Sequence, residues 1–363
     1  MLACKKMEVD ESENYSNTPI LPSTPYRYLN TNNDYIVTLG RVLFYDKSLS
    51  LNNTMSCGSC HQQAKAFCDN QKFSTGLEDI RTSRNSPSIF AKQGRMFWDG
   101  RAGGINNLVL GPIKNHVEMK FENLEKLSAK LSKIPYYQGL FSDAFGTPAV
   151  DSLRIQNALA SFIANFAFSN NRFQQSLADN SVLNPSESNG KTLFFGKAKC
   201  SSCHQLSGNN NGYGFTDEAF NIGLDETYSD NGVGLVSNNS DDNGKFMIPT
   251  LLNVEFTSPY MHDGRFSTLE EVVEHYNSGI KNHPNLDVNL RATNAFDNMT
   301  EGEILQQLDT NHDGMISQSE IGNLPVQKLN LTVSEKKNLV DFLKTLSDHN
   351  ILVDKRFSNP FKR

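Results

Sequence analysis

The chain has 363 residues, of which 37% are hydrophobic and 20% are charged, and its formal net charge is -6 at pH 7. This length allows two domains of ordinary size, and the composition is typical of a globular protein. A net negative charge gives no electrostatic basis for nucleic-acid binding, and no apolar run is long enough to cross a bilayer.

The first 33 residues are polar and predict a flexible N-terminal tail. Residues 1–6 (MLACKK) are similar to the end of a bacterial lipoprotein signal, in which Cys4 becomes the lipidated N-terminus. The alternative is an ordinary tail with a chance cysteine. A disulfide between Cys4 and Cys68 is disfavoured because Cys4 lies in this predicted tail, and we interpret Cys68 as a small packing residue.

Two pentapeptides of the form Cys-x-x-Cys-His stand at residues 57–61 (CGSCH) and 200–204 (CSSCH). This pattern attaches c-type haem: the two thiols form thioethers with the haem vinyl groups, and the histidine ligates iron from one side. Because covalent haem c is made outside the bacterial cytoplasm, we expect a periplasmic or cell-envelope location. The predicted haem residues are Cys57, Cys60 and His61 for the first group and Cys200, Cys203 and His204 for the second.

Helical patterning dominates the rest of the chain. An apolar stripe at helical spacing runs from Ile155 to Phe166, and residues 332–335 (TVSE) form a capping box ahead of a leucine-rich helix. The polar residues 180–190 suit a linker, and residues 208–243 are rich in Gly, Asn, Asp and Ser, which is typical of long loops. We therefore predict an all-α fold with two cytochrome c-like haem domains and long loops.

The predicted domain boundaries follow from these features. The flexible tail covers residues 1–33, the first haem domain covers 34–180, and the second covers 181–350. A C-terminal tail follows at 351–363, and an insertion spans about 292–329 within the second haem domain.

Residues 309–320 (DTNHDGMISQSE) match the twelve-residue loop of an EF-hand calcium site. In that pattern side-chain oxygens, one backbone carbonyl and a terminal glutamate surround Ca²⁺, while Gly314 allows a sharp turn. The alternative is a polar loop with coincidental spacing. The predicted calcium ligands are Asp309, Asn311, Asp313, Met315, Ser317 and Glu320.

Further short motifs surround the two haem motifs in a fixed order. Together they resemble the bacterial di-haem cytochrome c peroxidases and their MauG-type relatives, from about residue 34 to about residue 348. The resemblance implies that peroxide reacts at the first haem and that the second haem transfers electrons. The motifs lie at residues 39–44 (LGRVLF), 84–87 (RNSP), 97–101 (FWDGR), 111–112 (GP), 117–119 (VEM) and 259–264 (PYMHDG).

For the first haem, the resemblance implies an iron that is open on its far side. Classical members in the resting oxidised state close that side with a histidine before the Arg-Asn-x-Pro motif, and Leu77 occupies this place here, with His116 as the alternative ligand. Glu118 matches the family's proton-transferring glutamate, whereas Leu108 stands where the family has a glutamine. Trp98, the single tryptophan of the chain, matches the residue that relays electrons between the haems.

For the second haem, the resemblance implies a sixth ligand at a fixed distance after His262. Peroxidases have a methionine there and MauG-type enzymes have a tyrosine; in this chain the position is Tyr276, with Met261 as the alternative ligand. A phenolate is a hard anionic ligand, so it favours ferric iron and lowers the reduction potential. The second haem is therefore expected to share oxidising equivalents with the first.

The resemblance also implies a calcium ion between the haems. Its matching positions are Asn85, Thr257 and Pro259, which would contribute amide or backbone oxygens of the kind that Ca²⁺ prefers. Related enzymes are often dimers, so a homodimer is allowed.

Three functional hypotheses follow. The first is a peroxidase that reduces H₂O₂ with electrons from a small redox protein, and it is our main prediction. The second is a MauG-type oxidase that modifies a partner protein or a small molecule, which Tyr276 favours. The third is a non-catalytic di-haem electron carrier, which is disfavoured because a carrier needs no open iron beside a carboxylate. Leu108 weakens both enzymatic hypotheses.

Overall fold

The structure is a computed structural model in which short helices joined by long connections dominate. The described strands, β1 and β2, pair antiparallel as a two-stranded ribbon, with Ala219 opposite Met247. No described helix combines the length and apolarity needed to cross a membrane. The described residues are 15–29, 31–90, 94–167, 170–206, 218–292, 299–310, 312–313 and 315–362.

The helices and strands follow one another along the chain without a repeated alternation of strand and helix. The elements are α1 (Asp34–Tyr45), α2 (Cys57–Cys60), α3 (Ile105–Val109), α4 (Gly111–Lys114), α5 (Leu124–Leu131), α6 (Pro135–Phe145), α7 (Ser152–Ala164), α8 (Arg172–Ser176), α9 (Pro185–Phe195), β1 (Ala219–Phe220), α10 (Gly234–Ser237), β2 (Phe246–Met247), α11 (Leu269–Glu274), α12 (Glu301–Leu308), α13 (Gln318–Gly322) and α14 (Val333–Lys344). A π-helical turn, His275–Gly279, continues directly from α11.

The first helix pair consists of α1 and α7. Asn33 caps α1, and its side chain accepts the N–H groups of the first turn. The two helices meet at Gly40, where an added Cβ would lie 1.9 Å from the carbonyl oxygen of Ala158. Because no side chain fits in that space, glycine lets the two backbones touch.

The second helix pair, α9 and α14, has the same arrangement. The contact is at Gly190, where an added Cβ would lie 1.9 Å from the carbonyl oxygen of Asn338 and 2.7 Å from the Cβ of Phe342. In each pair the first helix precedes a haem motif: α1 precedes residues 57–61 and α9 precedes residues 200–204.

An aromatic cluster fills the interior beside the first pair. The rings of Phe67 and Phe166 stack at 4.2 Å, and Phe44 contacts both of them edge to face. These side chains are fully buried. They give the first haem motif a rigid apolar support on one side.

Residues 15–29, within the predicted flexible tail, lie against the C-terminal segment. The N–H of Ser16 donates to the carbonyl of Phe361 at 2.7 Å. The hydroxyl of Tyr45 in α1 donates to the carbonyl of Phe357, whose side chain is buried. The structure therefore differs from both predicted tails, because buried aromatic side chains anchor these segments.

The predicted linker at residues 180–190 also differs from the structure, since α9 begins at Pro185. Asn184 caps this helix, and its side chain forms a capping box with Glu187. The helices predicted from the apolar stripe and from the capping box at Thr332 are observed as α7 and α14.

Candidate haem sites and active site

A cavity of about 730 Å³ lies against the first haem motif. Cys57, Cys60 and His61 line one part of its wall, and Glu118 lines another. Most of the lining surface is apolar, which is typical of sites for large organic cofactors. A haem attached to these cysteines therefore fits the residues that surround the cavity.

The haem motif itself folds as a single helical turn, α2. Ser56 and Ser59 form a capping box around it, and the N–H of His61 donates to the carbonyl of Cys57 at 2.9 Å. Residues three apart on a helix share a face, so Cys57 and Cys60 lie on the same side. Burial raises the pKa of each thiol to about 12.

His61 is oriented by a backbone group. Its Nδ1 lies 2.8 Å from the carbonyl oxygen of Phe67, so Nδ1 carries the proton and Nε2 is left for a metal. Burial lowers the pKa of His61, which keeps the imidazole in the neutral form that binds iron. This histidine is the one histidine among the described residues that line the cavity.

Glu118 stands among polar and charged neighbours at the cavity. The amide of Asn115 donates to its Oε1 at 3.0 Å. Burial raises the pKa of Glu118, and the positive charge of Arg101 opposes this shift. Arg101 is held by stacking on Phe97 at 3.7 Å and by an ion pair with Asp99 at 2.8 Å.

Arg101 was not predicted as a functional residue, although it ends the FWDGR motif. Its guanidinium lines the same cavity as Glu118 and acts on the pKa of that carboxyl group. A motif match alone does not reveal such a role, because the role depends on the stacking that aims the side chain.

Leu77 and Leu108 occupy different environments. Leu77 is buried and does not line the cavity, whereas Gly76 does. The backbone at Gly76 is close to Val117, since an added Cβ at Gly76 would lie 2.0 Å from the Val117 carbonyl oxygen. Leu108 lines the cavity and offers no hydrogen bond there. The alternative ligand His116 is exposed and is absent from the cavity wall.

Trp98 lines the cavity and connects it to the second half of the chain. Its Nε1 donates to the carbonyl of Asn85 at 2.9 Å, and its own carbonyl accepts the N–H of Met247 in β2 at 2.8 Å. The N–H of Asn85 in turn donates to the carbonyl of His262 at 2.7 Å. Three of the sequence motifs therefore meet around this indole.

An ion-pair network crosses the same boundary. Arg84 donates to both carboxylate oxygens of Asp230, at 2.7 and 2.8 Å, and to Asp99 at 2.5 Å. All three side chains are at least three-quarters buried. These contacts fix the RNSP motif against residues of the second half.

The second haem motif forms a 3-10 turn at Cys200–Ser202. The N–H of His204 donates to the carbonyl of Cys200 at 2.9 Å, as at the first motif. Burial raises the pKa of Cys200 and of Cys203 to about 12 and lowers that of His204 to about 4. The imidazole is therefore neutral, which is the form that ligates iron.

Tyr276 lies on the π-helical turn that follows α11. Burial raises the pKa of the Tyr276 phenol. Met261, the alternative ligand, lies in a tight turn with a φ of +74°, and its carbonyl accepts the N–H of Gly264.

The segments predicted to bind calcium between the haems lie close together. The side-chain amide of Asn70 donates to the two carbonyls on either side of Thr257, at 2.8 and 2.6 Å. The amide of Asn85 donates to the carbonyl of Gln71 at 2.8 Å. Residues 70–71 therefore bridge Asn85 to the loop that contains Thr257 and Pro259.

The EF-hand-like loop joins α12 and α13 and closes on itself through hydrogen bonds. Glu320 accepts the N–H groups of Thr310, at 2.6 Å, and of Ser317, at 2.8 Å. These bonds lower the pKa of Glu320 to about 2. Asp309 accepts the N–H of Asp313 at 3.1 Å, so the acidic side chains stabilise the loop backbone.

Part of the predicted calcium loop lies outside the described residues, namely Asn311 and Gly314. Met315, whose carbonyl was predicted as a ligand, is 68% exposed. Among the residues that are described, no three His, Cys, Asp or Glu side chains form a metal-binding cluster.

Two cysteines, Cys4 and Cys68, lie outside the haem motifs, and the structure describes one of them. Cys68 is buried, and its thiol lies 2.9 Å from the carbonyl oxygen of Lys65, in agreement with a packing role. Cys4 lies outside the described residues.

Comparisons with known proteins agree with this arrangement. A sequence model of the family described as "Di-haem cytochrome c peroxidase" matches residues 34–182. Methylamine utilization protein MauG of Methylophilus methylotrophus is 32% identical over 247 residues, which cover 66% of this chain and 72% of that protein. Cytochrome c551 peroxidase of Nitrosomonas europaea is 32% identical over 263 residues, which cover 70% and 76%.

A solved structure extends the similarity over the whole chain. A MauG-like protein associated with microbial copper homeostasis superposes with a TM-score of 0.73 and 27% identity, covering 99% of this chain and 100% of that chain. The family predicted from the order of the motifs is thus confirmed, together with a helix-rich fold. This chain belongs to the di-haem cytochrome c peroxidase family, whose members are oxidoreductases with two covalent haem c groups.

Proposed function

We propose that this protein is a peroxidase that reduces H₂O₂ in the cavity beside His61. The observation that carries the proposal is that one cavity is lined both by the haem-attachment residues and by a half-buried carboxyl group, Glu118. A haem bound through Cys57 and Cys60 supplies a redox-active iron at which the O–O bond is reduced. Each H₂O₂ takes up two electrons and two protons and gives two waters.

Glu118 is the proposed proton carrier. It takes a proton from one peroxide oxygen and returns it to the leaving oxygen, which is general acid–base catalysis. The raised pKa of this carboxyl group suits both steps, because a group poised nearer neutrality releases and accepts protons readily. Asn115 orients Glu118 through the 3.0 Å hydrogen bond to Oε1.

His204 and Tyr276 are the residues that we propose would ligate the iron of the second haem. The support for Tyr276 is its spacing after His262, at the position where the MauG-type enzymes have a tyrosine. Trp98 is the proposed relay through which the two haems share oxidising equivalents, supported by its position in the cavity wall and its bond to β2. Met261 is the alternative ligand.

A MauG-type oxidase is the second candidate function, and Tyr276 as a ligand favours it. In that function the oxidising equivalents leave through Trp98 to a partner protein or an oxidisable small molecule at the surface. A non-catalytic electron carrier is the candidate from another class. It leaves unexplained a cavity lined by Glu118 and Arg101.

We also propose two haem domains, at residues 34–180 and 181–350, with an insertion at about 292–329. Support comes from the matching helix pairs, each of which crosses at a glycine, Gly40 or Gly190, and each of which is joined to a haem motif.

Calcium is proposed at two places. The first is between the haems, at Asn85, Thr257 and Pro259, where the support is the convergence of the three segments on residues 70–71. The second is the loop at residues 309–320, where the support is the ligand spacing and the helix on each side. Calcium stoichiometry should fall by one ion in Asp309→Ala, and an unchanged stoichiometry would exclude the loop site.

The location and the partners are also proposals. Haem attachment favours the periplasm or the cell envelope, and the electron donor would be a small redox protein. Lipidation of Cys4 would appear in the mass of the protein isolated from membranes. A homodimer would appear in light scattering.

Peroxide consumption by the protein with both haems attached tests the main proposal. We expect H₂O₂ to be consumed with two electrons drawn from a reduced small cytochrome for each molecule. Oxidation of a partner without such a donor would favour the oxidase, and no consumption of peroxide would favour the carrier.

A further inference from the structure

The π-helical turn that carries Tyr276 is held by its next residue. Asn277 is 8% exposed, and its Oδ1 accepts the buried N–H of Leu331 at 2.8 Å. Its backbone carbonyl accepts the N–H of Leu329 at 3.1 Å, and its Nδ2 donates to Glu274 at 3.1 Å. Asn277 thus joins the turn to the segment that leaves the insertion.

The same segment is bound from the second haem motif. Lys197, which lies shortly before Cys200, donates through Nζ to the carbonyl of Asn330 at 3.3 Å and to both carboxylate oxygens of Glu335, at 2.8 and 2.9 Å. Residues 329–335 therefore form a common anchor. Asn277, which follows Tyr276 in the sequence, binds this anchor. Lys197, which lies shortly before Cys200, binds the same anchor.

A second connection strengthens this frame. Glu274 accepts from Lys336, in the first turn of α14, at 2.6 Å, and from Ser278, in the π-helical turn, at 2.5 Å. The helix α14 packs against α9, which leads to the second haem motif. The π-helical turn and the helix that leads to the second haem motif therefore both contact α14.

A π-helical turn departs from the regular α-helical bonding pattern and is frequently found at functional sites. Such local departures persist where the surrounding structure holds them. The buried bond from Leu331 to Asn277 is a strong constraint, since its loss would leave a buried N–H without a partner. Tyr276 is the residue directly before Asn277 on the same turn.

We propose that Asn277 is a positioning residue that sets the place of Tyr276 relative to the second haem motif. This inference rests on the proposed function, because it takes Tyr276 as the sixth ligand of the second haem. Asn277 acts through the turn and through Leu331. It thereby connects the exit of the insertion to the ligation of the second haem.

The test is the ferric electron paramagnetic resonance spectrum and the reduction potential of Asn277→Ala with both haems attached. We expect the low-spin signal of the second haem to lose intensity, a second high-spin signal to appear, and the potential of the second haem to rise because the anionic ligand is displaced. The signals of the first haem should not change, which also shows that the variant is folded.

Ser278→Ala is the matched control, because it removes a hydrogen bond to Glu274 from the same turn but leaves Leu331 bonded. It should leave both haem spectra unchanged, and an effect equal to that of Asn277→Ala would overturn the proposal. Asn277→Asp keeps an oxygen acceptor for Leu331 and should retain most of the low-spin signal. If Asn277→Ala fails to fold, Asn277→Asp tests the proposal instead. Loss of the low-spin signal in Asn277→Asp would contradict the proposal that the oxygen accepting from Leu331 positions Tyr276.

Tyr276→Phe separates the failure of this inference from that of the proposed function. If Tyr276→Phe leaves the second haem unchanged, Tyr276 is not the ligand and the proposed function fails in this part. If Tyr276→Phe alters the second haem while Asn277→Ala does not, the ligand is correct and the positioning role of Asn277 is wrong.

Discussion

At the scale of single residues, the first cavity combines a neutral histidine, two thiols and a carboxyl group whose environment favours the protonated form. The carbonyl of Phe67 orients His61. Asn115 orients Glu118 through a hydrogen bond, and burial raises the pKa of Glu118. Each of these effects is local, so single substitutions can separate them.

Glu118→Gln should slow the reaction with peroxide by about 10²- to 10⁴-fold, the usual contribution of a positioned acid–base group. The amide keeps the shape of the side chain but cannot accept and return the proton. Rapid mixing of the protein with H₂O₂ measures the rate. Glu122→Gln, an exposed residue on the same segment, should react at the normal rate.

If Glu118→Gln reacted at nearly the normal rate, another group would have to carry the proton. Haem content and absorption spectra of the variant should match those of the unmodified protein, because Glu118 is not a haem ligand.

The rate of the peroxide reaction should also depend on pH through Glu118. Burial raises the pKa of this carboxyl group above its ordinary value of 4.5, so the ionised base is lost at a higher pH than for an exposed glutamate. The rate should therefore fall as the pH drops through that raised pKa. Glu118→Gln should abolish this step, and a step of equal size in the variant would assign it to another group.

Candidate residues could be selected from the sequence where the selection depends on spacing. The haem residues follow from two pentapeptides, and Glu118 follows from its place among ordered motifs. The roles proposed for Arg101 and Asn277 could not be predicted, because they depend on a stacked ring and on a bond to Leu331, which is distant in sequence.

At the scale of elements, two helix pairs support the two haem motifs, and each pair crosses at a glycine. The pair α9 and α14 leaves no room at Gly190, where an added Cβ would lie 1.9 Å from a carbonyl oxygen. The contact therefore sets the distance between the helices.

Gly190→Ala should destabilise the protein by about 1–3 kcal/mol, because the new methyl group forces the helices apart. Gly139→Ala is the matched control, since Gly139 lies within α6 and an added Cβ there meets nothing within 4 Å. That change should be neutral or stabilising by about 0.5–1 kcal/mol. Denaturant unfolding measures both, and equal effects would contradict the proposed close contact.

The sequence predicted α7 and α14 from their apolar spacing and capping box, but α9 was interpreted as a linker. The capping box of Asn184 and Glu187 and the proline between them were visible signals. Because α9 buries few residues, its sequence is mostly polar, and the polar composition favoured a linker over a helix. The contact of residues 15–29 with the C-terminal segment depends on long-range hydrogen bonds and could not be predicted.

At the scale of the whole molecule, the two halves are joined by Trp98 and by the ion pairs of Arg84. Arg84 contacts Asp99 in the first half and Asp230 in the second, with little exposure to solvent. Removing the cation would leave Asp230 without its arginine partner, while Asp99 would keep its ion pair with Arg101.

Arg84→Gln should therefore lower the free energy of unfolding by about 3 kcal/mol, at the low end of the range for breaking a buried pair because Asp230 is 25% exposed. Arg27→Gln breaks an ion pair whose arginine is 94% exposed and should cost less than about 1 kcal/mol. Urea unfolding compares the two variants. Similar losses would mean that the Arg84 pairs are screened by water.

The central claim is that the first haem is open to peroxide while the second is closed by Tyr276. Electron paramagnetic resonance of the fully oxidised protein, before and after addition of H₂O₂, tests it most directly. We predict one high-spin and one low-spin ferric signal, with peroxide removing the high-spin signal without prior reduction. Two low-spin signals that persist in peroxide until the protein is reduced would contradict the account.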